Sequence, residues 1–174
     1  MADYKFYMKK VLFDAQGKAT KGQEYDLEQD FPGLRYKSMS GLNLYGKPTN
    51  DYTETFAETE HARVFIGSDT REQTSLTLTL YFFDPLKFFP VSPEPVGTTP
   101  YSRMVANYHN FMNTISGCGI IWHDTARGRY VYMYHESAQT ISKDMLLDTQ
   151  YIEVQIKFKN VYGRSFDSED QITI

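Results

Sequence analysis

The stretch Pro100–Asn160, PYSRMVANYHNFMNTISGCGIIWHDTARGRYVYMYHESAQTISKDMLLDTQYIEVQIKFKN, decides the fold. Its first part is helical by spacing. Met104, Val105, Tyr108, Phe111, Met112 and Ile115 recur at three and four residues, so they share one face. Arg103, Asn107, Asn110 and Asn113 fall on the other face. Pro100 and Ser102 suit a helix start, and Gly117 suits the left-handed residue past its end. The pattern then changes period. Ile120–His123 reads as a strand, Asp124–Gly128 as a turn and Arg129–His135 as the returning strand of a hairpin. Tyr130, Tyr132 and Tyr134 fall on one face of that strand, Val131 and Met133 on the other. Tyr151–Lys159 alternates most regularly, with Ile152, Val154, Ile156 and Phe158 inward and Glu153, Gln155, Lys157 and Lys159 outward. A slip of one residue would put four large apolar groups in water, so the register is set.

A helix this apolar on one side needs a sheet to cover it, and the chain before it reads as that sheet. Thr74–Phe83 alternates Leu76, Leu78, Leu80 and Phe82 against Thr77, Thr79, Tyr81 and Phe83. Lys5–Phe13 is strand-like, although alternation breaks at Lys9-Lys10. Leu34–Tyr45, Tyr52–Glu60 and Arg63–Ile66 are further strand candidates, with a turn at Gly46–Asn50. Residues 14–30 are polar and read as a loop or arm, and residues 167–174 as a loose polar tail. Residues 84–100 hold five of the seven prolines and read as an extended loop or arm. Its Leu86, Phe88 and Phe89 should not stay in water: they either fold over the chain's own core or cover a neighbouring subunit. There is no alternation of strand and helix. The expected class is α+β: a mostly antiparallel β-sandwich or open barrel in one domain over 1–174, with one main helix and a long β-hairpin.

Composition narrows the function. Hydrophobic residues make up 41% and charged residues 23%, which is globular. The net charge of −4 argues against a phosphate-neutralising surface. The single cysteine, Cys118, excludes an internal disulfide. Residues 1–10 lack a long apolar run, so no signal peptide is expected, and no stretch approaches a membrane span of about 20 apolar residues.

Chemistry is sparse. His123 and His135 flank one hairpin, each beside a carboxylate, but nothing fixes a third metal ligand. Cys118 follows a helix C-terminus, where the dipole raises a thiol's pKa, so it reads as a buried spacer. No phosphate loop, dinucleotide fingerprint, paired-cysteine motif or nucleophile elbow is present. The expectation is no enzyme, no catalytic residues, no metal and no cofactor.

The order of elements resembles a known family. Gly41-Leu42, Arg63-Val64, Arg71, the Leu-Thr strand reaching Tyr81-Phe82-Phe83, a proline-rich crossover, the helix, Ile120–Asp124, Arg129-Tyr130 and a strand closing at Lys159-Asn160 run in sequence. This is similar to the distal tail proteins of long-tailed bacteriophages and prophages, and to the tail-tube fold, over most of 33–166. The resemblance implies a ring-forming domain, hexameric in that family, without the C-terminal carbohydrate-binding domain many members carry. It also implies a place in the virion tail after synthesis in the host bacterial cytoplasm. Implied partners are other copies of the chain and other tail proteins: tube, tape measure, and baseplate hub or receptor-binding protein. DNA would pass through the lumen without specific binding, and no membrane is involved. Interface candidates are the arm, with Leu86, Phe88 and Phe89, and the hairpin, with Tyr130, Tyr132 and Tyr134. The alternatives are a tail-tube protein that stacks into a DNA-conducting tube, and a carbohydrate-binding β-module using the three tyrosines as a platform.

Overall fold

The computed structural model describes residues 5–42, 53–55, 63–65, 73–88, 96–137, 141–143 and 150–174, with the backbone alone at 53–55, 63–65, 137 and 141–143. The strands are β1 (Phe6–Phe13), β2 (Ala19–Asp26), β3 (Leu34–Ser40), β4 (Thr53–Thr55), β5 (Arg63–Phe65), β6 (Thr74–Phe83), β7 (Gly119–Asp124), β8 (Arg129–Ser137), β9 (Ile141–Lys143) and β10 (Tyr151–Asn160). The helices are a single turn, α1 (Leu27–Asp30), and the main helix, α2 (Pro100–Ile115). One sheet runs in the order β2-β1-β7-β8-β10-β6-β3, with β9 also paired to β10. Every pairing is antiparallel. β4 and β5 pair with each other as a separate ribbon.

The two most regular sequence patterns lie side by side. β10 pairs with β6 from Tyr151↔Phe83 to Asn160↔Thr74 without a register shift. Ile152, Val154, Ile156 and Phe158 therefore sit opposite Phe82, Leu80, Leu78 and Leu76, and all eight are buried. Burying each such side chain fully contributes about 1.5–3 kcal/mol. Helix α2 packs on this same face. Met104, Phe111 and Ile115 are fully buried, and Val105, Tyr108 and Met112 are packed beside them. Phe111 meets Phe31 edge-on at 5.3 Å, and Tyr108 meets Phe82 at 5.5 Å between ring centres. The helix is held at its start by a reciprocal cap: Thr99 Oγ1 accepts from the Ser102 amide at 3.1 Å, and Ser102 Oγ accepts from the Thr99 amide at 3.0 Å. It ends at Gly117, whose φ of +71° lies in the region glycine adopts without strain.

The sheet curls. β1 and β3 are five steps apart in the ladder, yet Phe6 stacks on Tyr36 at 4.0 Å, and Tyr36 lies 6.1 Å from Trp122 of β7. The result is a mostly antiparallel, β-rich α+β fold.

Two boundary expectations are corrected. Residues 14–30, expected as a loop or arm, are a loop only over 14–18: β2 pairs with β1 from Tyr7↔Asp26 to Phe13↔Ala19, and α1 follows, capped by the Asp26 carboxylate on the amides of Glu28 and Gln29. An end strand needs backbone pairing more than an apolar pattern, and so the sequence hid it. The register shifts between Lys9 and Val11, where the alternation breaks. Residues 167–174 are not loose. Ile172 is buried, and a short turn at Glu169–Gln171 holds Glu169 against Lys9 at 2.6 Å and Lys21 at 3.1 Å. The expected turn at 46–50 and most of the expected strand at 52–60 lie outside the described residues.

Candidate functional site

The proline-rich segment is anchored at its root. The Asp84 carboxylate, 4% exposed, receives two hydrogen bonds from Arg103 of α2, Nε to Oδ1 at 2.8 Å and Nη2 to Oδ2 at 2.6 Å. Arg103 Nη1 also donates to the Thr98 carbonyl at 3.3 Å. One guanidinium thus ties both ends of the segment to the first turn of the helix. The Arg103 hydrogen bonds hold the Asp84 carboxyl below the usual carboxylate range, against the opposing effect of burial. Sequence reading had placed Arg103 merely on the polar face of the helix. Its partner, 19 residues earlier, gave no signal.

The six interface candidates separate. Leu86, in the turn Pro85–Lys87, is 50% exposed. Phe88 is half-buried, edge-on to Phe83 at 5.6 Å and under the Arg35 guanidinium at 4.6 Å. Phe89 lies outside the described residues. Tyr130 stacks on His123 at 4.1 Å, and its backbone exchanges two hydrogen bonds of 2.8 Å with Phe166. Tyr132 is 7% exposed, in a small second core with Val11, Ile121, Phe166 and Ile172. Only Tyr134 of the three, at 37%, reaches solvent substantially. The three tyrosines of the ladder therefore differ in their surroundings. Residues 161–172 cover two of its three rungs.

That covering segment is held by a few side-chain ties. The Arg129 guanidinium donates to Ser165 Oγ at 3.0 Å and pairs with Asp167, while Tyr162 Oη donates to the Thr173 carbonyl. Sequence reading missed Ile172, one apolar residue in a polar run, as an anchor.

Leu12 and Phe13, at the tip of the β1–β2 hairpin, are 48% and 55% exposed. Sequence reading placed them in a strand but did not mark them as surface. Phe13 borders a cavity of about 410 Å³, with the corner 117–119, Tyr132, Tyr134, His135 and Val161 as the remaining walls. Cys118 is buried beside it and donates weakly to the carbonyls of Thr114 and Ile115 at 3.6 and 3.5 Å. Burial pushes its thiol pKa up, which disfavours the thiolate.

His123 and His135 do not converge. His123 lies with Tyr130 on the outer face, whereas His135 meets Phe158 of the inner face edge-on at 6.0 Å. Burial lowers the His123 pKa. Among the described residues no group of three or more His, Cys, Asp or Glu side chains could hold a metal ion. Nor is any described helix long and apolar enough to cross a membrane.

No protein-family model matches the chain. No curated protein sequence matches it either.

Proposed function

We propose that this chain is a structural subunit that assembles with copies of itself into a ring at the distal end of a phage or phage-like tail, joining the tube to the baseplate or receptor-binding apparatus. The observation that carries the reading is the pair of end strands. Among the described strands, β2 and β3 each pair on one side only, which leaves rows of backbone donors and acceptors for a neighbouring chain. Two further features support it. Leu12 and Phe13 at the hairpin tip, and Leu86 beside the base of α2, supply apolar contact area. A net charge of −4 gives passing DNA no counterion-releasing surface to adhere to. A closed ring uses a heterologous contact, one surface on each side of the subunit, and two different open edges meet that requirement.

Negative-stain imaging of the purified chain tests this. Closed rings of uniform diameter are expected. Long stacked cylinders would assign the chain to the tube, and isolated particles the size of one 20.2 kDa subunit at every concentration would end the proposal.

A further inference from the structure

Among the described strands β2 pairs only with β1, so its other edge keeps a row of unpaired backbone groups. Thr20, Lys21, Gln23 and Glu24 are exposed along it. The register with β1 shifts in the middle of the strand: Lys9 stands opposite Glu24, and Val11 opposite Lys21. Three residue steps of β2 therefore span two of β1, which brings Lys21 and Glu24 to the same, outer side of the sheet. Their contacts agree. Glu24 reaches Lys9 at 3.4 Å, Lys21 reaches Glu169 at 3.1 Å, and Glu169 also holds Lys9. Both side chains keep access to solvent, 33% for Lys21 and 52% for Glu24. One cation and one anion thus flank the centre of an open edge. Such an edge is complementary to itself. In an antiparallel pairing of two β2 strands about Gly22-Gln23, Thr20 meets Tyr25, Lys21 meets Glu24 and Gly22 meets Gln23, each twice. Residues directly opposite share a face with their Cβ atoms about 4.5–5.5 Å apart, and opposite charges there attract. A slide that sets Lys21 or Glu24 against its own copy would place like charges opposite, so one register is favoured.

We propose that the free chain pairs with a second copy through β2, antiparallel about a two-fold axis at Gly22-Gln23, with two reciprocal ion pairs between Lys21 and Glu24. A two-fold contact closes on itself, so it yields a dimer and not a ring. It occupies the β2 edge that the ring reading gives to a neighbour, and under that reading it shields the edge until assembly. The dimer itself does not depend on the ring, and either contact can hold without the other.

Sedimentation equilibrium of the full chain tests the contact. Wild type should populate a species of twice 20.2 kDa. Lys21→Glu and Glu24→Lys should each weaken that dimer about tenfold, because each turns two attractions into two repulsions. The chain carrying both changes should recover the wild-type affinity. Roles within one subunit cannot produce that recovery, since the exchange sets a glutamate beside Glu169 and a lysine beside Lys9. A second readout does not depend on charge. Lys21→Cys and Glu24→Cys together in one chain should give a covalent dimer under mild oxidation, and neither change alone should. The native Cys118 is buried and does not compete. A wild-type chain that never populates the dimer, a doubly exchanged chain no tighter than the single variants, or a double-cysteine chain that stays uncrosslinked would overturn the proposal. Rings that form while these results fail would leave the ring reading standing without it.

Discussion

The two faces of β7 and β8 are both apolar, but they are buried by different means. The inner face, with Ile120, Trp122, Val131 and Met133, joins the large core under α2. The outer face, with Ile121, Tyr130 and Tyr132, is covered by residues 161–172, a polar segment with few anchors. The inner face is protected by an element that carries its own apolar stripe. Its outer counterpart relies on a handful of contacts and ion pairs. The inner core should therefore govern global stability, and the outer cover should open locally.

Substitutions sharpen that contrast in descending order. Phe111→Ala removes a ring touching Phe31 and Phe82 and should cost about 3–5 kcal/mol in chemical denaturation. Asp84→Ala leaves the Arg103 guanidinium without its carboxylate and should destabilise less than Phe111→Ala but more than Ile172→Ala. The Asp84 carboxyl is held below its unfolded value of about 3.9, so its contribution is full above that pH and fades as pH falls through the folded value. Wild-type stability should drop in this acidic window more steeply than that of Asp84→Ala, as read in denaturation curves at stepped pH. Ile172→Ala should cost about 2 kcal/mol, with hydrogen exchange rising across 161–172 while β6 and β10 stay protected. An equal rise in exchange on β6 and β10 would remove the distinction between the faces. Glu169→Gln, which weakens the ties to Lys9 and Lys21, should cost less than about 1 kcal/mol, because these groups are partly solvated.

The same contrast explains what was legible in the sequence. Helix α2, β6 and β10 carry full periods of 3.6 or 2, and each was readable because its burial is written in its own residues. The tyrosine face of β8 was also readable as periodic, but not the identity of its cover. The cover, around Phe166 and Ile172, is polar in composition and folds back through the Tyr130–Phe166 backbone pairing. Strand β2 was invisible for a related reason: Ala19–Asp26 has no alternation and is ordered by the backbone of β1. The cavity draws on β1, the corner after α2, β8 and Val161, so no local motif marks it. The Asp84–Arg103 clasp likewise joins a loop to a helix face that spacing alone assigns to solvent.

The central claim is that the chain's surfaces exist to meet other copies. Sedimentation velocity over a wide concentration range, with wild type and Phe13→Asp run side by side, tests it most directly. Wild type should sediment as a discrete multiple of 20.2 kDa, and Phe13→Asp should fall back toward one subunit while keeping its thermal transition. A wild-type chain that stays at 20.2 kDa throughout would contradict the account.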